Sequence, residues 1–145
     1  MTSARSSDGP GEPFRPSGAH PYRLRLEPAV LLPGGAAVLR PAGTLDHRAD
    51  ALLDPAVAAL LADGARHLVV DLAGVTRCDS RGVDCLLGVR HCIRVLGGVF
   101  AVAAAQGPVL RAIAACSAGR ELSCFPDTER ALDAVRRGAA PGSPR

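Results

Sequence analysis

Apolar and polar positions along this chain switch between two periods, and the switches mark out its elements. Tyr22-Arg23-Leu24-Arg25-Leu26-Glu27 alternates with period two and predicts a half-buried first strand. Pro33-Gly34-Gly35 then turns the chain into Ala36-Ala37-Val38-Leu39-Arg40, a second strand and hairpin partner of the first. Thr44 or Asp46 is placed to cap a helix whose Leu53, Val57, Leu60 and Leu61 fall on one face. Pro55 interrupts that stripe and puts the helix start late, near the proline; Asp63-Gly64 ends it.

Leu68-Val69-Val70-Asp71-Leu72 reads as a buried strand that ends in a turn. A stripe of Leu86, Val89, Ile93 and Leu96 follows, predicting a helix from about Ser80 that stops at Gly97-Gly98. Val99-Phe100-Ala101-Val102-Ala103 carries no charge, which suits a central strand covered on both faces. Gly107-Pro108 opens a helix bearing Val109, Leu110 and Ile113. Leu122 to Phe125 is a short last strand, and Asp127 caps a final helix through Leu132 and Val135.

Alternation of this kind after an initial hairpin argues an α/β layer fold: a mixed, mostly parallel sheet of about five strands with about four helices packed on it. A chain of 145 residues, 48% of them apolar, buries one sizeable core. The domain is expected over residues 22–137, with a disordered Ser/Gly/Pro-rich tail over 1–21 and a second over 138–145. The first tail lacks the apolar stretch of a signal peptide. The strongest apolar run, Leu96 to Ala105, falls well short of the roughly 20 residues a membrane span needs. A cytoplasmic protein with no membrane partner is expected.

Composition narrows the chemistry. All 17 basic residues are arginine, so no Lys exists to serve a Walker-type phosphate loop or a Schiff base. The same Arg, Ala, Gly and Pro bias fits a GC-rich, actinobacterial genome. A net charge of +3, with arginines scattered, does not imply nucleic acid. The adjacent pair Arg136-Arg137 belongs at the end of the last helix, where cations complement the dipole. No G-x-S-x-G elbow and no positioned general-base His point to a hydrolase, so the chain is not read as an enzyme. The five cysteines form no C-x-x-C pair, and with the unpaired His20, His47, His67 and His91 they suggest neither a metal nor a cofactor. Cys85 and Cys92, seven apart, share a helix face; Cys78 borders a helix start, where a thiol pKa can fall, and is the candidate for redox sensing.

The chemistry concentrates at Asp79-Ser80, where a strand and turn deliver a hydroxyl to a helix N-terminus. The first backbone N–H groups there lack internal partners, so Ser80 can cap the helix, and a phosphate on it would meet a site that favours anions. Each residue also has a plain structural role open to it: Ser80 as a cap, Asp79 as the holder of the turn, Asp46 as a helix cap, and Gly82, Gly97 and Gly98 as spacers.

Four ordered elements carry a resemblance: Gly43-x-Leu45-Asp46, Leu68-Val69-Val70-Asp71-Leu72-x-Gly74-Val75, Asp79-Ser80-x-Gly82-Val83, and Gly97-Gly98 before a strand. Together, from Tyr22 to Arg137, the chain resembles the STAS-domain family of anti-sigma factor antagonists. The resemblance implies a protein that binds an anti-sigma factor, itself a serine kinase, and so frees a sigma factor. It also implies that phosphorylation at Ser80 abolishes binding and that a phosphatase restores it. Partner-binding residues expected on this basis are Asp46, Asp79, Ser80, Arg81, Gly82 and Asp84, on a monomer or weak dimer. Arg81 and Asp84 depart from the family pattern and favour a second reading, a STAS scaffold or sensor module with a different partner and a silent Ser80.

Overall fold

In the computed structural model, which describes residues 23–139, the apolar runs become strands and the period-3.6 stripes become helices. In chain order they are β1 (Arg25–Leu26), β2 (Val30–Leu31), β3 (Ala36–Leu39), β4 (Pro41–Leu45), α1 (Asp50–Ala62), β5 (His67–Asp71), β6 (Gly74–Cys78) and α2 (Ser80–Val95). After these come β7 (Phe100–Ala103), α3 (Gly107–Ala115), a 3-10 turn over Ser117–Glu121, β8 (Cys124–Phe125) and α4 (Thr128–Ala139). The tails expected over 1–21 and from Ala140 onward, and Tyr22, lie outside the described residues; Gly138 and Ala139 continue α4.

Five strands form a sheet in the order β2-β3-β5-β7-β8. β2 is antiparallel to β3, and the other pairings are parallel. This is the mixed, mostly parallel sheet with four helices that the alternation predicts. A second sheet, β1-β4-β6, is an addition. Its first strand is the predicted one, but β4 and β6 read as turns because Gly and Pro punctuate them, and because β6 exposes Thr76 and Arg77; backbone pairing to neighbours stabilises them where their own propensity is weak.

The first hairpin is also re-partnered. β1 pairs antiparallel with β4, while β2 takes the place beside β3 that the first strand was expected to fill. Pro28 explains the change: it supplies no N–H to a ladder, so the strand breaks after Glu27, whose N–H still donates to the Arg40 carbonyl at 3.0 Å.

Helix α1 starts at Asp50, ahead of Pro55, and not near it. Pro55 sits on the exposed side, where the bond it cannot donate is lost, while Leu53, Val57 and Leu60 bury the opposite face and hold the helix together. Neither Thr44 nor Asp46 caps α1. Thr44 lies in β4 with its hydroxyl buried and unpartnered among the described residues, and Ala49 precedes the helix without a side-chain cap.

The five-stranded sheet is covered on both faces. Val38, Val69, Ala101 and Ala103 meet Ala131 and Val135 of α4 on one side. Leu39, Leu68, Val70, Phe100 and Val102 meet Leu53, Leu86, Ile93 and Val109 on the other. Each such Leu, Ile or Phe contributes about 1.5–3 kcal/mol by leaving water. The predicted stripes hold apart from two positions: Leu96 terminates α2 and is 54% exposed, and Leu110, inside α3, is 44% exposed. Asp127 caps α4 as expected, its carboxylate accepting from the Arg130 N–H at 2.8 Å.

The Asp71 carboxylate ties the strand ends together, accepting from Arg40 Nε at 3.2 Å, Thr128 Oγ1 at 2.9 Å and the Ala73 N–H at 2.9 Å. On the opposite end, His67 Nδ1 accepts from the Val99 N–H at 3.1 Å, and burial lowers the imidazole pKa from its ordinary 6.5. Gly98 passes so near the Arg66 carbonyl that a Cβ would lie 1.7 Å from its oxygen.

Gly98→Ala is expected to lower stability by about 2–3 kcal/mol, since a backbone carbonyl must move to admit the methyl. Gly88→Ala, on the open side of α2, is expected to raise it by about 0.5–1 kcal/mol; urea denaturation checks both. The His67 contact adds a pH dependence. The unfolded chain takes up a proton near the ordinary 6.5 that the folded imidazole resists, so this stabilisation is full above that value and is lost as pH falls below it. Urea titrations at pH 7.5 and 5.5 should show a fall that His67→Asn, which keeps an acceptor but cannot titrate, diminishes.

Candidate functional site

Parallel strands that end in register deliver their following residues to one place. Leu45 and Cys78 are partners at the ends of β4 and β6, so Asp46 and Asp79 leave the sheet side by side. The Asp79 N–H donates to the Leu45 carbonyl at 3.3 Å. Asp79 is still extended, with φ −111° and ψ −176°, and α2 begins with the next residue.

That geometry makes Asp79 the helix cap and leaves Ser80 free of the task. The Asp79 carboxylate accepts from the Gly82 N–H at 2.9 Å, and its carbonyl accepts from the Val83 N–H at 3.1 Å. Ser80, already helical, is past the position from which a side chain folds back onto the first turn. Its side chain is exposed and makes no hydrogen bond among the described residues.

Gly82 is the spacer that seats the helix. A Cβ there would lie 2.2 Å from the Leu45 carbonyl oxygen and 3.1 Å from Cys78 Sγ, so the first turn of α2 rests directly on the strand ends. Gly82 is buried and offers a partner no side-chain surface. Arg81 and Asp84 are exposed, and Asp84, four residues after Ser80, lies one turn further along the same helix face.

Asp46 is brought to this turn by its backbone: its carbonyl accepts a 3.6 Å bond from the Cys85 thiol. Its carboxylate accepts from the Arg48 N–H at 2.9 Å and from the Arg48 guanidinium at 2.8 and 3.3 Å. The guanidinium holds this carboxyl below its ordinary pKa. Arg48 is not among the residues singled out from sequence; the Asp46-x-Arg48 spacing of a turn in which an aspartate bonds the backbone two residues on is the signal that finds it.

The redox expectation for Cys78 is reversed. Burial, reinforced by the Asp79 charge, pushes its thiol up to about 11 where a helix N-terminus alone would lower it. Its thiol donates to the Asp79 carbonyl at 3.5 Å. Cys85 is buried while Cys92, further along the same face, is exposed. Among the described residues, no group of three or more His, Cys, Asp or Glu is placed to hold a metal ion.

Fold and site together define an α/β module with an exposed serine at a capped helix start. Residues 27–131 match the family model of the STAS domain, and the chain belongs to that family. Among solved structures it is similar to an anti-sigma factor antagonist from Mycobacterium paratuberculosis, at 27% identity and a TM-score of 0.66, over 80% of this chain and 97% of that one. It has the fold of SpoIIAA in its unphosphorylated form, at 20% identity and a TM-score of 0.62, over 79% of this chain and 96% of that one. The phosphorylated form of SpoIIAA, from Bacillus, aligns at 21% identity and a TM-score of 0.57, over 79% of this chain and 100% of that one. A search of the curated proteins finds no match.

Asp79→Ala is expected to cost about 1 kcal/mol of stability through the lost cap, whereas Ser80→Ala stays within about 0.5 kcal/mol of the parent. Chemical denaturation of the two variants side by side measures the difference.

Proposed function

We propose that this chain is an anti-sigma factor antagonist that binds an anti-sigma factor with serine kinase activity, releases a sigma factor, and is switched off by phosphorylation at Ser80. The observation that carries this reading is the exposed Ser80 hydroxyl, spared from capping by Asp79 and presented at the first position of α2. Membership of the STAS family and the likeness to the mycobacterial antagonist over nearly the whole of that chain support it. In this reading the module spans residues 22–137 and acts by binding, without turnover, as a cytoplasmic monomer or weak dimer. Among the described residues no helix is long and apolar enough to cross a membrane.

The proposed partner face consists of Asp46, Asp79, Ser80, Arg81 and Asp84, held at one level by Gly82 beneath them. A phosphate on Ser80 would add about −1.5 to −2 charges. The helix N-terminus tolerates that charge locally, so the fold survives. In the complex the same charge must be desolvated against a surface shaped for a hydroxyl, and Asp84 on the same helix face adds repulsion, so docking is lost. A phosphatase that removes the phosphate resets the switch.

A second reading, a STAS scaffold or sensor with a silent Ser80, draws on the exposed Arg81 and Asp84, which a kinase would meet beside the serine. Incubation with each purified anti-sigma serine kinase of the host and Mg-ATP separates the two. Phosphate incorporated into the Ser80 peptide, and absent from Ser80→Ala, supports the switch. By calorimetry Ser80→Ala should bind the same kinase as the parent does, and Ser80→Asp at least about tenfold more weakly, a loss of ~1.4 kcal/mol. A kinase that binds all three forms equally and leaves Ser80 unmodified selects the scaffold.

A further inference from the structure

The far end of the five-stranded sheet carries a slot that the proposed switch does not use. β8 is two residues long and pairs only with the second half of β7, Val102 against Cys124 and Ala103 against Phe125. On that side the Val102 N–H donates to the Ser123 carbonyl at 2.8 Å and the Ala104 N–H to the Phe125 carbonyl at 2.9 Å. Hydrogen-bonding groups alternate along a strand, so the Phe100 N–H and C=O face the same side, ahead of the point where β8 begins. The opposite side of β7 is taken by β5, as the Leu68 N–H donating to the Val99 carbonyl at 3.0 Å shows. Leu122, buried in the core, draws the chain entering β8 away and leaves the edge at Phe100 open.

The space so left is a cavity of about 800 Å³, with Phe100, Ala101 and Phe125 lining it beside Arg90 and Arg94 of α2 and Arg137 of α4. Glu121 meets Arg90 at 3.3 Å, so three arginines stand against one carboxylate. The C-termini of α2 and α4 offset part of this excess at roughly −0.5 charge each, which leaves about one positive charge uncompensated. Phe100 lines the slot and is only 5% exposed, so its backbone groups lie at the floor.

We infer that this slot docks an extended acidic segment of a partner protein, which adds a short strand to β7 at Phe100 and sets its carboxylates against Arg94 and Arg137. One residue of a peptide supplies both the acceptor and the donor that the Phe100 edge needs, at the spacing of a sheet ladder. A free anion satisfies the arginines but not that pair. The slot opens at the start of β7, whereas Ser80 follows the end of β6.

A blocked pentapeptide alternating Glu and Val, titrated into 15N-labelled protein, tests the assignment. Saturable shifts of the Phe100 and Ala101 amides, with Ser80 and Arg81 unmoved, are expected. Arg94→Glu with Arg137→Glu should weaken binding at least about tenfold, and N-methylation of the central peptide amide should weaken it comparably while leaving the protein untouched. The inference is overturned if the N-methylated peptide binds as well as the parent, if citrate displaces the peptide and produces the same shifts, or if no saturable shift occurs at Phe100.

Discussion

The close approach of α2 to the Leu45 carbonyl governs the rest of the serine site. A Cβ at Gly82 would fall 2.2 Å from that oxygen, so the absence of one side chain lets a helix begin on the ends of two strands. Every neighbouring contact follows from this seating. Asp79 reaches back to the Gly82 N–H because the turn is tight, Cys85 comes within 3.6 Å of the Asp46 carbonyl, and Ser80 emerges from the rim of the sheet. A larger residue would lift the first turn and separate groups that the chain holds 33 positions apart, Asp46 and Asp79.

Two of the carboxylates at that turn are already engaged. Asp79 spends its carboxylate on the cap and Asp46 spends its own on Arg48, so neither is a loose anion beside the serine. The N–H groups of Ser80 and Arg81 remain at the mouth of the helix, where the dipole amounts to roughly half a positive charge. An added anion is therefore accommodated by the molecule that carries it, and its energetic consequence falls on whatever surface docks there. That asymmetry is the physical requirement for a modification that changes association without unfolding the fold.

Strong apolar periodicity made the central elements legible: β3, β5, β7 and the helix stripes stand where the sequence places them. In the three-stranded sheet β4 and β6 were not legible, because Pro41, Gly43 and Gly74 look like turn residues and gain their extended conformation only from partners. Gly43, at φ +108° with the Arg23 carbonyl oxygen 2.4 Å from where its Cβ would stand, is shaped by a contact 20 residues away. Asp79 was visible as a candidate for the turn, but the division of labour between it and Ser80 depends on which residue is the last extended one, and periodicity locates helix ends only to within a residue or two. The Cys78 thiol was misjudged because the helix end was visible in sequence while the burial that outweighs it was not.

The parallel topology polarises the molecule, and both ends inherit their chemistry from it. Strands β4 and β6 end where α2 starts, and β8 ends where α4 starts, so Asp79 and Asp127 gather at helix N-termini and satisfy free N–H groups. The helices then run back and finish near the strand beginnings, where Arg94, Arg136 and Arg137 stand in the last turns and complement the negative ends of the dipoles. One end thus presents a hydroxyl beside the engaged carboxylates of Asp46 and Asp79, and the other presents arginines in excess of what the dipoles require. A docking event at the arginine end and a charge added at the serine end act on opposite rims of one rigid core. Coupling between them would require two arrangements of α2 itself, the element that carries Ser80 at its start and Arg94 in its last turn.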